Sequence, residues 1–461
     1  MFKRFSRIIA TLTLVLGLSG YAFAQSINSG NTANTTILPK DNSPLSRFGL
    51  GQFLTPYTAD QQQMGGTGIA YISTTNANLV NPAALAFLAN TSFEGSINVR
   101  NVDLEIEGQN ETFWAGNLQY LSLSFPLKNP INIARDEKKP DFSWGMNLSL
   151  QPYTNVGYNV DVQDAVEFFG TYTNSLKGTG GTYKLNWGNG FRYKNLAVGV
   201  NASYIFGKIT NSRRVSLDSL NLIAYSTEFL DEFSVSGFQF KGGLQYTIYL
   251  DPEARNQNAV NKRRRIVIGA TASNEANFNT NVSQFYSRDN FGIRLTSLDT
   301  LVSNEDVKLS GVLPSEYGFG FTFERINNFK VSAEYNIGNW SNYSNDIQPD
   351  VLSDNYRLSV GAEWIPNISS YNRYLERIRY RIGAYFGTDP RSVAGQQLEM
   401  RGATFGVSLP IERQRQALSF VHLGFEFGQL EAGNLIQENF AQFTFGFSLN
   451  DNTWFFKRKF N

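Results

Sequence analysis

The residues best suited to chemistry are the single histidine and the charged side chains interleaved with apolar segments. His422 is followed four positions later by Glu426, and a histidine beside a carboxylate is a familiar general base. A lone histidine is more often a satisfied wall residue than a catalyst, and no Gly-x-Ser-x-Gly elbow occurs, so we predict no enzyme. The chain has no cysteine and no paired histidines, so neither a metal nor a cofactor is predicted.

Two glycine-rich stretches and one basic run could suggest phosphate or nucleic-acid binding. "GGTGIA" at 65–70 and "GTGGTY" at 178–183 lack the Lys-Ser/Thr ending of a phosphate loop and are better interpreted as bends. "NKRRR" at 261–265 is typical of a basic turn at a membrane edge. With a net charge of +1, no nucleic-acid partner is predicted.

Most of the chain consists of short segments in which apolar and polar residues alternate. In "FQFKGGLQYTIYL", residues 238–250, the even positions are mainly apolar and the odd positions mainly polar, as in a β-strand with two different faces. About fourteen such segments follow one another: 92–107, 113–127, 141–158, 178–193, 195–210, 233–250, 264–276, 316–324, 328–339, 356–366, 377–388, 399–410, 417–429 and 437–449. Alternation alone fits either a soluble β-sandwich or an outer-membrane barrel.

Aromatic residues and segment length favour the barrel. Tilted strands cross a membrane in about 9–11 residues, and interfacial aromatics mark their ends; the aromatics at segment ends are Trp144, Tyr153, Tyr249, Tyr335, Trp340, Trp364, Phe455 and Phe456. We predict an all-β fold, a transmembrane antiparallel β-barrel of about 14 strands in the outer membrane of a Gram-negative bacterium, in contact with membrane lipid and lipopolysaccharide. The long stretches 159–177, 211–232, 277–315 and 340–355 are predicted to be extracellular loops, and 128–140 and 251–263 charged periplasmic turns.

The polar faces of these strands would line the lumen. The charged residues expected there are Lys241, Lys330, Glu334, Arg357, Glu363, Arg377, Arg379, Arg381, His422 and Glu426. We expect them to pair with one another across the barrel; the sequence leaves open whether they also set selectivity.

The first 91 residues precede the barrel strands and divide into three parts. Residues 1–24 have the basic start, apolar run and Ala-Phe-Ala ending of a secretory signal peptide. Residues 25–43 are polar and predict a flexible periplasmic segment. Residues 44–91 predict a compact plug, and 92–461 the barrel, with both termini periplasmic.

A motif in residues 64–85 resembles the FadL family of outer-membrane transporters. Its order is Met-Gly-Gly-x-Gly-x-Ala, a polar run, then Asn-Pro-Ala-x-Leu directly before the first strand. The matching positions are Met64, Gly65, Gly66, Gly68, Ala70, Asn81, Pro82, Ala83 and Leu85. The stretches 43–52 and 449–461 look like barrels of this kind in Bacteroidetes-type bacteria. The resemblance implies an N-terminal hatch folded into the lumen.

Elementary geometry also favours a plug. A barrel of about fourteen strands is wider than the ~8 strands whose side chains fill the interior. Glycine bends and the ring of Pro82 would let a compact segment fit against the inner wall. Its apolar residues are expected to form a hydrophobic ligand pocket; these are Phe48, Leu50, Phe53, Leu54, Tyr57, Phe87 and Leu88.

Two functions are compatible with this interpretation. The family resemblance implies passive uptake of a small hydrophobic compound, of the fatty-acid or aromatic type, through a hatch-gated pocket. The alternative is a non-transporting barrel that serves a secretion or assembly complex, as PorV of the type IX secretion system does while resembling FadL barrels. Its partners would be other outer-membrane or periplasmic proteins.

Overall fold

We describe the chain from a computed structural model, which covers residues 43–106, 109–128, 142–166, 170–217, 225–251, 263–290, 299–411 and 418–451. The predicted leader, residues 25–42 and the closing residues 452–461 lie outside this described part. So do the predicted charged turns, apart from Lys128 and from Asp251 and Arg263.

Fourteen strands form the wall, and we number these alone. They are β1 (Thr91–Ile106), β2 (Gln109–Pro126), β3 (Phe142–Val166), β4 (Gly170–Tyr193), β5 (Leu196–Leu217), β6 (Tyr225–Tyr249), β7 (Arg264–Ser273 with Ala276–Asn290), β8 (Asp299–Leu313 with Glu316–Arg325), β9 (Phe329–Gly338), β10 (Asn355–Trp364), β11 (Arg379–Val393), β12 (Gln396–Ile411), β13 (Ser419–Ala432) and β14 (Ile436–Asp451). The two pieces of β7 pair with β6 in the same direction, as one interrupted strand. The two pieces of β8 pair with those of β7 in the same way.

Every neighbouring pair is antiparallel, and β14 pairs with β1 over their whole length, which closes the sheet. The prediction of a closed antiparallel barrel with fourteen strands is therefore confirmed. Five short helices are not part of the wall: Pro44–Arg47, Ala59–Gln62, Pro82–Phe87, Trp340–Asn342 and Tyr374–Arg377. Within the described residues, none of the helices has the length and apolar character needed to cross a bilayer.

The half of the wall next to the Thr91 and Asp451 ends has its apolar side chains on the outside. On β6, Phe240 is 52% exposed whereas its neighbour Gln239 is 6% exposed. The same outward apolar pattern occurs on strands all round the barrel, for example at Ile268, Phe319 and Phe425. Only a lipid environment makes such a surface stable, so we call this part the membrane half.

On one side of the barrel the strands continue far beyond that apolar surface. Strands β3 and β6 each have 25 residues, whereas β9 and β10 each have 10. At about 3.3 Å per residue and a tilt of about 40°, 25 residues rise about 60 Å, more than twice the ~25 Å apolar band. We call the part beyond the band the outer half.

In the outer half, three of the four predicted extracellular loops are wrong. The stretches 159–177, 211–232 and 277–315 are mainly strand, in β3 to β8, and only 340–355 is mostly a loop. These strands were missed because their apolar residues change sides. Phe278 and Val282 on β7 point inward and are 1% and 2% exposed.

This change of side also shows that two of the aromatic residues predicted to lie at the membrane interface do not lie there. Trp144, Tyr335 and Trp364 are exposed on the outside, as a membrane-interface residue should be. Tyr153 and Trp340 instead lie inside the outer half, in an apolar cluster around Leu50, because water rather than lipid surrounds the wall there.

Candidate functional site: the closed lumen

The described chain begins at the outer half and runs down the inside of the barrel. Ser43 donates a hydrogen bond to Glu438 on β14 (2.5 Å), and Leu45 packs against Leu398 and Leu430 near the outer ends of β12 and β13. The chain ends its course at Thr91, where β1 starts. We call residues 43–90 the N-terminal segment.

The first half of the predicted motif forms a tight turn against the inner wall. Gly65 and Gly66 have φ of +71° and +79°, a region that side chains other than glycine rarely adopt. The Gly65 N–H donates to Thr404 Oγ1 (2.8 Å), and the Arg357 guanidinium donates to its carbonyl (3.1 Å). The motif glycines therefore bring backbone directly onto the wall.

The second half of the motif caps a short helix. Asn81 precedes the 3₁₀ helix Pro82–Phe87, and its Oδ1 accepts from Ala83 N–H (3.0 Å). Its Nδ2 donates to the carbonyls of Ile69 (2.7 Å) and Leu244 (3.2 Å). Asn81 thus joins both halves of the motif to strand β6, as an amide with donors and an acceptor can.

Opposite the motif, the inner wall carries glycines that the sequence analysis did not single out. Gly145, Gly190, Gly199 and Gly243 are successive register partners on β3, β4, β5 and β6. A Cβ on Gly199 would lie 2.4 Å from Ala83 N, far inside van der Waals contact. Any side chain here would collide with the helix Pro82–Phe87.

The same arrangement recurs around the barrel. Gly361 and Gly383 are partners on β10 and β11, and Cβ atoms there would meet Met64 O at 2.2 Å and Gly65 N at 2.1 Å. Gly269 and Gly320, partners on β7 and β8, face Ile69 in the same way. We call these eight residues the glycine row. Because they have no side chains, the inner wall of the membrane half can contact the backbone of the N-terminal segment directly.

A charged row runs along the inner wall on β7 to β11. Arg265 pairs with Glu324 (2.6 Å), Lys330 lies 3.8 Å from Glu324 and 3.6 Å from Glu363, and Arg381 pairs with Glu363 (2.7 Å). Lys330, Glu363 and Arg381 therefore pair with one another as predicted, but not across the barrel. They pair between neighbouring strands, because register partners lie only about 5 Å apart.

Other predicted charged residues bind the N-terminal segment directly. Glu334 accepts from the N–H groups of Gly68 (2.7 Å) and Ile69 (2.8 Å). Glu426 accepts from Gln62 (2.7 Å) and Tyr385 (2.6 Å). Carboxylates that accept two such bonds are well satisfied, and through Glu334 and Glu426 the wall holds the segment at separate points.

Two predicted lumenal arginines, Arg377 and Arg379, lie over aromatic rings. Arg377 belongs to the 3₁₀ helix Tyr374–Arg377 rather than to β11, which starts at Arg379. The Arg377 guanidinium lies over the ring of Tyr374 and that of Arg379 over Phe420. The strand predicted for 377–388 therefore begins two residues later, at Arg379.

His422 is a buried wall residue. Its Nδ1 lies 2.6 Å from Ser408 Oγ, and its Nε2 lies 3.3 Å from Asn76 and 3.4 Å from Ser448. Ser408 is fully buried and also accepts from Arg381. A Ser–His pair enclosed in this way cannot be reached by a substrate. Among the described residues, no group of three His, Asp or Glu side chains is placed to hold a metal.

Above the motif lies a cavity of about 320 Å³. Of the predicted pocket residues, Phe53, Leu54 and Tyr57 line it, together with Lys241, Arg357 and Glu426. Phe48 packs instead with the apolar cluster around Leu45. Phe87 lies below in a cluster with Ala83 and Ala197, and neither Phe87 nor Leu88 lines the cavity.

Next to this cavity the barrel wall is interrupted. Strands β2 and β3 pair only between Leu121–Pro126 and Gly145–Leu150, although both continue outward. Beyond that point Gln52 and Phe53 pair with Asn155 and Thr154 of β3 in place of β2. Gln119, at a bulge in β2, donates to Tyr57 O (3.3 Å) and Gln62 (2.7 Å). The N-terminal segment therefore fills part of an opening between β2 and β3.

Comparison with known proteins assigns the family. Residues 27–461 match the family model described as BamG. The chain belongs to the BamG family. No curated protein matches the chain.

Solved structures share the fold. A FadL homologue of Pseudomonas aeruginosa superposes with a TM-score of 0.55 at 10% identity, covering 87% of this chain and 100% of the other. The toluene transporter TbuX of Ralstonia pickettii superposes with a TM-score of 0.50 at 13% identity, covering 88% and 100%. The FadL-type barrel that the motif predicted is thereby confirmed.

Proposed function

We propose that this protein mediates passive uptake of a small compound with a hydrophobic part across the outer membrane. The observation that carries the proposal is the interruption between β2 and β3 beside the cavity. The interruption begins beside Pro152, whose register partner Tyr183 is 42% exposed on the apolar outer surface, so a compound held there has a short sideways path to lipid. The matched FadL homologue and toluene transporter support this class of cargo.

In this proposal the N-terminal segment is the floor of the cavity. The motif residues Met64 to Leu85 seat it on the glycine row, where backbone contacts leave no room for a diffusing molecule. Phe53, Leu54 and Tyr57 provide the apolar contacts for cargo from the outer half. Cargo then leaves sideways, and the floor stays in place.

The absence of cysteine allows a clean test of the sideways path. Asn155 donates to Asn117 across the interruption (2.8 Å), so Asn117→Cys with Asn155→Cys places two thiols close together. A short bis-methanethiosulfonate linker would tie β2 to β3 and is removed by dithiothreitol. In a deletion strain expressing this variant, we expect uptake of labelled oleate, toluene or phenyl β-D-glucoside to fall at least tenfold and to recover on reduction.

The matched control is Leu121→Cys with Leu150→Cys. These residues are already register partners in the paired part of β2 and β3, so the linker should leave uptake unchanged. If deletion of the protein leaves uptake of all three compounds unchanged, the uptake proposal is wrong.

A second function is favoured by the tall side of the barrel. Strands β3 to β8 carry a polar outer face well above the apolar band, with Asn277, Asn279 and Asn281 exposed in succession, and the BamG name hints at outer-membrane protein partners. On this proposal the barrel is a non-transporting subunit of an outer-membrane complex. Mild-detergent purification from native membranes should then recover a stoichiometric partner protein, and recovery of the isolated barrel alone would contradict it.

A further inference from the structure

The cavity lining combines many amide and hydroxyl groups with apolar side chains. Its largest class of lining side chains is amide and hydroxyl, among them Asn117, Gln151, Asn186, Asn201, Gln239 and Gln442. We infer that the cavity binds a ligand with an uncharged, hydroxyl-rich head, such as a sugar ring, joined to a small aromatic or apolar group. This inference rests on the proposed uptake function and narrows its cargo.

Unpartnered polar atoms in the lining support a hydrogen-bonding ligand. Gln151 is 7% exposed, and its Oε1 lacks a hydrogen-bond partner among the described residues, as do Asn98 Oδ1 and Arg100 Nε. All three residues line the cavity. Gln151 Oε1 and Asn98 Oδ1 are acceptors that need a donor, whereas Arg100 Nε is a donor that needs an acceptor, and a hydroxyl can be either. These atoms have almost no accessible surface, so a ligand hydroxyl reaches them only when the side chain turns toward the cavity.

An aromatic group at one side of the cavity fits the apolar part. The ring of Phe53 lies 5.4 Å from that of Tyr153 and 4.2 Å from that of Trp340. All three residues line the cavity. Such rings stack on flat apolar surfaces, including the C–H face of a sugar or a phenyl group.

A plain hydrocarbon is disfavoured by the same lining. Filling the cavity with one would remove water from many amides and give them no replacement hydrogen bonds. Sites built to hydrogen-bond a hydroxyl reject analogues that lack it by large factors for this reason. The cavity therefore favours a ligand that bonds the amides as well as the apolar side chains over plain toluene.

An anionic head is disfavoured because carboxylates share the lining and two of its four cations, Lys184 and Arg100, already have partners. Lys184 donates to Gln239 (2.8 Å) and lies over the Tyr153 ring (3.5 Å). Arg100 pairs with Glu438 (3.3 Å). The carboxylates Glu316, Asp389 and Glu426 also line the cavity and would repel a carboxylate ligand.

Three probes with one shared ring separate the ligand classes. The full-length protein in lipid nanodiscs would be titrated with phenyl β-D-glucopyranoside, benzoate and toluene by isothermal calorimetry. We expect the glucoside to bind at least tenfold more tightly than the other two. Equal or tighter binding of benzoate or toluene would overturn the inference while leaving uptake itself intact.

A pair of variants ties the binding to the cavity. Gln151→Leu should weaken glucoside binding at least tenfold, whereas Gln163→Leu, at an exposed position of the same strand β3, should leave it unchanged. Heat-modifiable gel mobility would verify that both variants fold. Equal effects of the two variants, or no binding by any probe, would also overturn the inference; the linker experiment on β2 and β3 decides uptake independently.

Discussion

The membrane half and the outer half of strand β6 place their apolar residues on opposite faces. In the membrane half Phe238, Phe240 and Leu244 point outward, whereas in the outer half Phe233 and Val235 point inward and are each 2% exposed. The strand keeps its alternation throughout, so only the choice of apolar face changes. That choice follows the surroundings, since lipid covers the outside in one half and water in the other.

The interior differs correspondingly between the two halves. In the membrane half the lumen is filled by backbone contacts at the glycine row and by the charged row. In the outer half it is filled by side chains, in the cluster that includes Leu50, Phe233 and Phe278. Strand β6 therefore offers three matched comparisons.

The largest effect is expected for Phe233→Ala. Phe233 packs inside the apolar cluster of the outer half, and truncating a buried phenylalanine costs about 3–5 kcal/mol. The adjacent Ser234 is exposed on the outside, so Ser234→Ala should cost less than about 0.5 kcal/mol. Urea unfolding of barrels refolded into vesicles measures both; similar costs would mean that the outer half has no apolar interior.

A somewhat smaller effect is expected for Leu244→Lys. Leu244 lies in the middle of the outward apolar run of β6 and is 45% exposed. A lysine facing lipid near the membrane centre costs about 2–4 kcal/mol. Ser234→Lys on the same outward face should cost about 0.5 kcal/mol or less, because water surrounds it. Equal costs in the same urea assay would place both positions in one environment and remove the distinction between the halves.

The strands of the membrane half could be predicted from the sequence because their apolar side chains lie mainly on the outward face. Apolar residues there face lipid, so the alternation around Phe240 predicts both the strand and its outward face. Because the same pattern recurs along the chain, it also predicts the number of strands. The outer half breaks that arrangement at the interruption of β7 between Ser273 and Ala276. Beyond it Asn277 faces water and Phe278 the interior, so 277–315 resembled a polar loop.

The site was predictable to a similar extent. The motif glycines and Asn81 were recognisable in one short stretch, because local turns and caps have local signals. The glycine row was not, since Gly361 and Gly383 become neighbours only through strand register. The inward direction of Glu363 and Arg381 followed from alternation, but their pairing also needed the register. A signal did exist, because a glycine recurs in the middle of many segments on the face opposite the aromatics.

The smallest of the three effects, and the most specific, is expected for Gly243→Ala. A Cβ there would lie 2.1 Å from Asn81 Oδ1 and 2.8 Å from Pro82 Cδ, so the motif must shift or the wall must bend. Overpacking of this kind costs about 1–3 kcal/mol. Gly242, the adjacent residue on the outward face, has only Ala272 O near its Cβ position, at 3.9 Å. Gly242→Ala should therefore change the free energy of unfolding by less than about 0.5 kcal/mol. If both alanines are tolerated equally, the N-terminal segment does not rest on the glycine row, and the proposal that this segment forms the floor of the cavity is wrong.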